Sequence, residues 1–149
     1  NTPYRLFKSY SHEGGIISPL LIHWPREIKE ASIVRTPAHV IDIMPTLVAA
    51  AGARYPSEYK NRVVAPFQGQ SLFSESRSRA LFWEHLGNKA VRKGDWKLVA
   101  KNGEPWELYQ ITEDPVERND IAYLYPEKVN ELSDMWREWA DQNYVDYDL

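Results

Sequence analysis

Apolar residues along the chain fall into short strand-like runs and two stretches at helical spacing. Pro19–Trp24, PLLIHW, is an apolar run closed by Pro25 and predicts a buried strand over 19–24. The polar stretch REIKEASIVRTP follows as an exposed connection. HVIDIMPTLVAAAGA predicts a helix over 42–52, with Asp42 as N-cap, Pro45 in the first turn and Gly52 closing the end. Met44, Leu47, Val48 and Ala51 share one face of it. Residues 54–79 show little periodicity and predict a long loop, a length that implies a purpose or a larger body to lie over.

Beyond residue 79 the runs shorten and become aromatic. LFWEHL (Leu81–Leu86), KAVR (Lys89–Arg92), WKLVAK (Trp96–Lys101) and WELYQI (Trp106–Ile111) predict an antiparallel meander of three or four strands. Lys93-Gly94-Asp95 and Asn102-Gly103 supply turns between them. Tyr125-Pro126 opens a helix over 126–142, where Val129, Leu132, Trp136, Trp139 and Ala140 form an apolar stripe. The tail QNYVDYDL is polar and is expected to fray. The fold class is therefore α+β, with the division at residues 1–79 and 80–149.

Composition narrows the possibilities. The 149 residues suit one domain of ordinary size, and 43% hydrophobic content is enough for a packed core. A net charge of −3 with scattered cations argues against nucleic acid as the main partner. With no cysteine, there is no disulfide, thiolate metal site or cysteine nucleophile. No apolar run approaches the ~20 residues of a membrane-spanning helix. The first residues, NTPYRLFK, carry neither an initiator Met nor a signal-type apolar segment, so the chain reads as a mature product or a piece of a longer one.

One segment stands apart from this patterning. KSYSHEGG, Lys8–Gly15, sets a lysine, hydroxyls, a histidine and a carboxylate before two glycines. Lys8 could meet an oxyanion as a point charge, and the glycines could give positive φ to a tight loop. Read locally, a polar turn with a solvated lysine explains the segment more simply. Adjacent His12 and Glu13 point to opposite faces of an extended chain, so His12 reads first as a surface histidine. His85, where a strand meets a turn, is either a cleft residue or a strand terminus. His23 and His39 fit no helical metal motif. Glu113, Asp114, Glu117 and Asp120 do not have calcium-loop spacing and read as a turn with helix-start carboxylates.

Lys8-x-x-x-His12-Glu13-Gly14-Gly15-Ile16-x-x-Pro19, then Leu20–Pro25, then Asp42-Ile43-x-Pro45-Thr46-Leu47, resembles the C-terminal half of sulfatases in the alkaline-phosphatase-like superfamily. LFWEHLGNKAVRKGDWKLV and WELYQITEDPVERNDIA resemble the C-terminal subdomain of bacterial-type arylsulfatases. The similarity covers nearly the whole chain in order. It implies that residues 1–79 are the last strand and helix elements of an α/β sulfatase core, and that 80–149 are the subdomain. It further implies hydrolysis of sulfate esters by a formylglycine, with calcium held by upstream Asp and Asn. Lys8 stands where the family has a sulfate-binding lysine that stabilises charge in the transition state. His85 and His12 are the candidate substrate-contacting residues.

Two departures accompany the resemblance. Ile17 stands where the pattern usually has Arg, and the C-x-P-S-R nucleophile motif and paired metal aspartates are absent. The chain is therefore expected to be inactive alone and to bind no calcium itself. It would act with an N-terminal catalytic half, on a sulfated small molecule or glycan, in a periplasmic or extracellular parent. Apolar surface at 19–24 and 42–52 would be left exposed or would drive self-association. Two other readings compete: a carbohydrate-binding domain displaying Trp83, Trp96 and Trp106 on one face, and a phosphate-ester hydrolase of the same superfamily.

Overall fold

The computed structural model describes residues 2–74 and 78–146. In chain order its elements are α1 (Glu13–Ile16), a 3₁₀ turn (Val40–Asp42), α2 (Ile43–Ala50), β1 (Glu58–Tyr59), β2 (Arg62–Val63), β3 (Leu81–His85), β4 (Asn88–Lys93), β5 (Trp96–Ala100), β6 (Glu107–Gln110), a second 3₁₀ turn (Ala122–Leu124) and α3 (Pro126–Gln142). They group into two compact units, residues 1–22 with 78–149, and residues 23–77. The first 22 residues thus belong with the sheet, not with 23–77 as the division at 79 had them.

The sheet is the expected meander, antiparallel in the order β3-β4-β5-β6. Alternation along each strand gives it two unlike faces. Val91, Leu98 and Leu108 pack on Leu132, Trp136 and Ala140 of α3. Phe82 stacks on Trp139 with ring centroids 5.3 Å apart, and Trp136 Nε1 donates to Trp83 O at 3.0 Å. Trp136 is 1% exposed, and burying a tryptophan's ~200 Å² stabilises the fold by on the order of 5 kcal/mol. The apolar stripe matters the more because the N-cap residue Tyr125 makes no side-chain capping bond. The tail does not fray at once: Val145 N donates to Ala140 O at 3.0 Å and Val145 packs on the same core. Residues 147–149 lie outside the described residues.

The opposite face carries Ala90, Val99 and Tyr109, together with Lys97 and Glu107. Residues of the N-terminal segment cover it, with Ser11, His12 and Glu13 all buried. Ions hold the segment down. Lys97 Nζ lies 2.7 Å from Glu13 Oε1 and 2.7 Å from Glu117 Oε1. Glu117 Oε2 in turn accepts from Glu13 N at 2.8 Å. Nearby, Arg5 Nη2 donates to Glu107 Oε1 at 3.1 Å and Nη1 donates to the Tyr109 hydroxyl at 2.7 Å. His12 Nε2 is 3.1 Å from Glu107 Oε2, which also accepts from the Tyr109 hydroxyl at 2.7 Å.

This second cluster shifts the groups within it. Burial works against ionisation of Glu107, but hydrogen bonds from His12, Arg5 and Tyr109 outweigh it and hold the carboxyl well below the usual range. Burial, then the bond to Glu107, pushes the Tyr109 hydroxyl up. The hydrogen bond to Glu107 also raises Arg5.

The 23–77 unit departs further from expectation. Helix α2 ends as predicted, with Gly52 at φ 60° and Gly52 N and Ala53 N donating back to Ala49 O and Val48 O. Asp42 does not cap it by its side chain. Its carboxylate accepts instead from His39 N at 2.9 Å and Gln70 N at 2.8 Å. Thr46 Oγ1 takes Leu72 N at 2.8 Å, so the buried side of α2 is polar. The apolar face is open, with Met44 and Leu47 more than half exposed. The loop over 54–79 holds the short β1–β2 hairpin, and residues 75–77 lie outside the described residues.

The buried strand expected over 19–24 is not formed. Residues 19–24 belong to no strand among those described, and Leu20, Leu21 and Ile22 are exposed. A strand buries its apolar side chains only beside ladder partners, and the described sheets offer it none.

Glu107 ionises more readily folded than unfolded, so its contribution is full above the unfolded value of 4.5 and is lost as pH falls below it. Thermal melts of wild type and Glu107→Gln should therefore show a clear stability gap at about pH 6 that narrows toward about pH 3. A gap independent of pH would contradict the assigned ion cluster.

Candidate functional site

Lys8–Gly15 is a loop that turns directly into α1. Its glycines are required, though not for the expected reason. Positive φ falls on Leu6 (62°) and Ser9 (80°), and neither Gly14 nor Gly15 has it. A Cβ on Gly14 would lie 2.3 Å from the carbonyl oxygens of Arg5 and Leu6, and one on Gly15 would lie 1.9 Å from Tyr10 O. The strand of chain before the glycines runs over their Cα atoms, and Gly14 N donates to Arg5 O at 2.9 Å. Lys8 is exposed within that folded-back stretch, between Phe7 and Tyr10, whose rings meet edge to face at 5.3 Å.

The sequence-predicted residues separate cleanly. Lys8 is solvent-facing and makes no ion pair among the described residues. His12 is not at the surface: it is 0% exposed and bonded to Glu107, so it braces the loop. His85, the last residue of β3, is exposed beside the two-residue turn Leu86-Gly87. Both turn residues have positive φ, 53° and 79°, the primed-turn conformation of tight hairpins. Asn88, opposite His85, donates from Nδ2 to Ser9 O at 2.9 Å and to His85 O at 3.0 Å. The Lys8 loop and the His85 turn are thus joined at one side chain.

The acidic residues at 113–120 are turn and clamp residues. Asp114 Oδ2 accepts from Arg118 N and Asn119 N at 2.8 Å each. Asp120 Oδ1 accepts from Leu108 N at 3.0 Å and Ala122 N at 2.9 Å. Glu117 is buried on Lys97. Among the described residues no cluster of three or more His, Cys, Asp or Glu could hold a metal ion. These residues do not fit a calcium site, and the sequence has no formylglycine precursor motif.

An open cleft of about 550 Å³ lies beside the clamp, lined by Arg5, Glu107, Tyr109, Glu117 and Arg118 among others. Most of these polar groups are already bound to one another, as described above. The tryptophans do not make a glycan platform: Trp96 and Trp106 pack with the α3 core, while Trp83 packs on the other face. None of the three lies on a common exposed face, which removes the premise of the carbohydrate-binding reading.

Sequence reasoning missed Asn88, and it missed the charged anchors Arg5, Lys97, Glu107 and Glu117. Lys97 alone carried a signal. Period-two alternation puts it on the same face as Val99, inside an otherwise apolar run, where a lysine demands a buried partner.

Comparison with known proteins agrees with this architecture. The family model for "N-sulphoglucosamine sulphohydrolase, C-terminal" matches residues 4–144. An uncharacterized sulfatase of Schizosaccharomyces pombe is 33% identical over 90% of this chain and 26% of its own length. A sulfatase of Formosa agariphila is 28% identical over 96% of this chain and 30% of its own. The crystal structure of Ps i-CgsB in complex with k-i-k-neocarrahexaose shares the fold at TM-score 0.77 and 22% identity, over 94% of this chain and 32% of that one. The chain therefore spans less than a third of the relatives it matches. With the family model matched from residue 4 to 144 and a relative one-third identical, the chain belongs to the sulfatase C-terminal family.

Proposed function

We propose that this chain supplies the sulfate-binding lysine and one wall of the substrate pocket to a sulfatase that hydrolyses sulfate esters. The observation that carries the reading is the contrast at residues 5–15. Lys8 is exposed, yet the loop bearing it is fastened to the sheet by buried ions and by carbonyls packed on Gly14 and Gly15. A cation held on a rigid support stabilises developing negative charge without reorganising at the moment of reaction. A solvated surface lysine would need no such support.

The chain's own residues perform three tasks in this scheme. Lys8 Nζ meets the sulfate oxygens as a point charge. Glu13, through Lys97 and Glu117, and His12, through Glu107, hold the loop. His85 lies at the rim, where the alcohol portion of the ester would sit. In the parent enzyme a formylglycine would supply the nucleophile and calcium the counter-charge, both held by residues outside these. The k-i-k-neocarrahexaose bound to a protein of the same fold makes a sulfate ester of an oligosaccharide the first substrate class to test, beside small aryl sulfates.

In the full-length enzyme, Lys8→Ala is expected to lower kcat about a hundredfold on 4-nitrophenyl sulfate or a sulfated galactan oligosaccharide. Its thermal midpoint should be unchanged because the side chain is exposed. Near-native turnover on both substrates would overturn the assignment. Gly15→Ala, which drives a Cβ into Tyr10 O, should instead lower the thermal midpoint, by about 2 kcal/mol or more of stability. Gly94→Ala, at positive φ in open space, should cost only about 1 kcal/mol. Equal effects of the two glycine changes would show that the loop does not pack on Gly15.

A further inference from the structure

Both exposed candidate segments hang on one amide. Asn88 opens β4 and is 8% exposed. An asparagine side chain has two N–H donors and a carbonyl acceptor. Here the donors go to Ser9 O, on the residue after Lys8, and to His85 O, and Oδ1 lies 3.3 Å from Asn102 N. Ser11 Oγ adds a bond from the same loop to Asn88 O at 3.1 Å. Closing the β3–β4 hairpin needs only the bond to His85. The bond to Ser9 crosses 79 positions of sequence to reach the loop that presents Lys8.

Backbone strain gathers at the same joint. Ser9 and Leu86 both have positive φ, 80° and 53°, without being glycine. Such conformations persist where the surroundings over-determine them, and they cluster at ligand sites. A Cβ on Gly87 would lie 2.4 Å from Asn102 Cγ, so the turn packs closely on the side chain whose backbone N–H meets Asn88 Oδ1.

We infer that Asn88 is a positioning residue that holds the Lys8 loop and the His85–Gly87 turn at a fixed separation, making that turn the pocket wall beside the sulfate lysine. The inference rests on the sulfatase reading above. Asn88 acts through the backbone of the segments it joins. Its loss would let the strained loop relax and displace Lys8, and small displacements of a charge-stabilising group cost rate steeply.

The test is a double-mutant cycle in the full-length enzyme, on whichever of the two probe substrates wild type hydrolyses. Lys8→Ala should lower kcat about a hundredfold and Asn88→Ala about tenfold. The double variant should be no slower than Lys8→Ala, because there is then no lysine left to misplace. A merely structural loss would act on the Lys8→Ala background too, so additive effects, or an Asn88→Ala enzyme with wild-type kcat, overturn the inference while leaving Lys8 in its role. Near-native turnover by Lys8→Ala overturns the reading beneath it. If Asn88→Ala does not fold, Ser11→Ala loosens the same joint and should show the same non-additivity at a few-fold effect. His85→Ala should raise KM several-fold with kcat retained, and unchanged kinetics removes the turn from the pocket.

Discussion

Lys97 has no exposed surface, and its ammonium remains buried only because two carboxylates meet it. An unpaired buried ammonium would cost several kcal/mol, more than most single contacts return. Glu13 and Glu117 are therefore conditions of the fold. They come from α1 and from the turn after β6, so one charge on β5 fixes two segments distant from it in sequence. Helix α1 has four residues, far below the length at which a helix stands by itself. It exists because Lys97 and Glu117 hold its first residue from both the side chain and the main chain.

The sheet consequently has one face cemented by apolar contact and the other by charge. The α3 side follows ordinary rules: a period-3.6 stripe, two tryptophans and a stacked phenylalanine. The other side seats Arg5, His12 and Glu13 on Glu107, Tyr109 and Lys97. Ion pairs and hydrogen bonds are directional where apolar packing is not. The face that carries the Lys8 loop is thus the one whose interactions define register and angle.

Legibility in the sequence followed the same division. The meander, the α3 stripe and the closing glycine of α2 were readable because each is a local periodic pattern or turn signal. The ion clamp was not, since Arg5 and Glu107 lie 102 positions apart, and Glu13 and Lys97 lie 84 apart, and nothing local announces the pairing. Gly14-Gly15 stands out in the sequence as a pair that could give a left-handed turn, which neither residue makes. The actual demand is steric and comes from the carbonyls of residues 5–10. PLLIHW has the composition of a buried strand, but pairing partners decide strands, and none are among the described residues. Lys8 could be chosen only through the ordered resemblance, because its immediate neighbours read equally well as a polar turn.

The Asn88 amide has both donors committed to main-chain oxygens, and this constrains how such a protein can change. A residue inserted into the Leu86-Gly87 turn would carry His85 O out of reach, and Ser9 would lose its anchor with it. Loop length here is tied to the placement of the lysine. Variation at this joint must then come from exchanging side chains on a backbone of constant length. Leu86, 70% exposed and outside every hydrogen bond that holds the joint, is the position where such exchange is least encumbered.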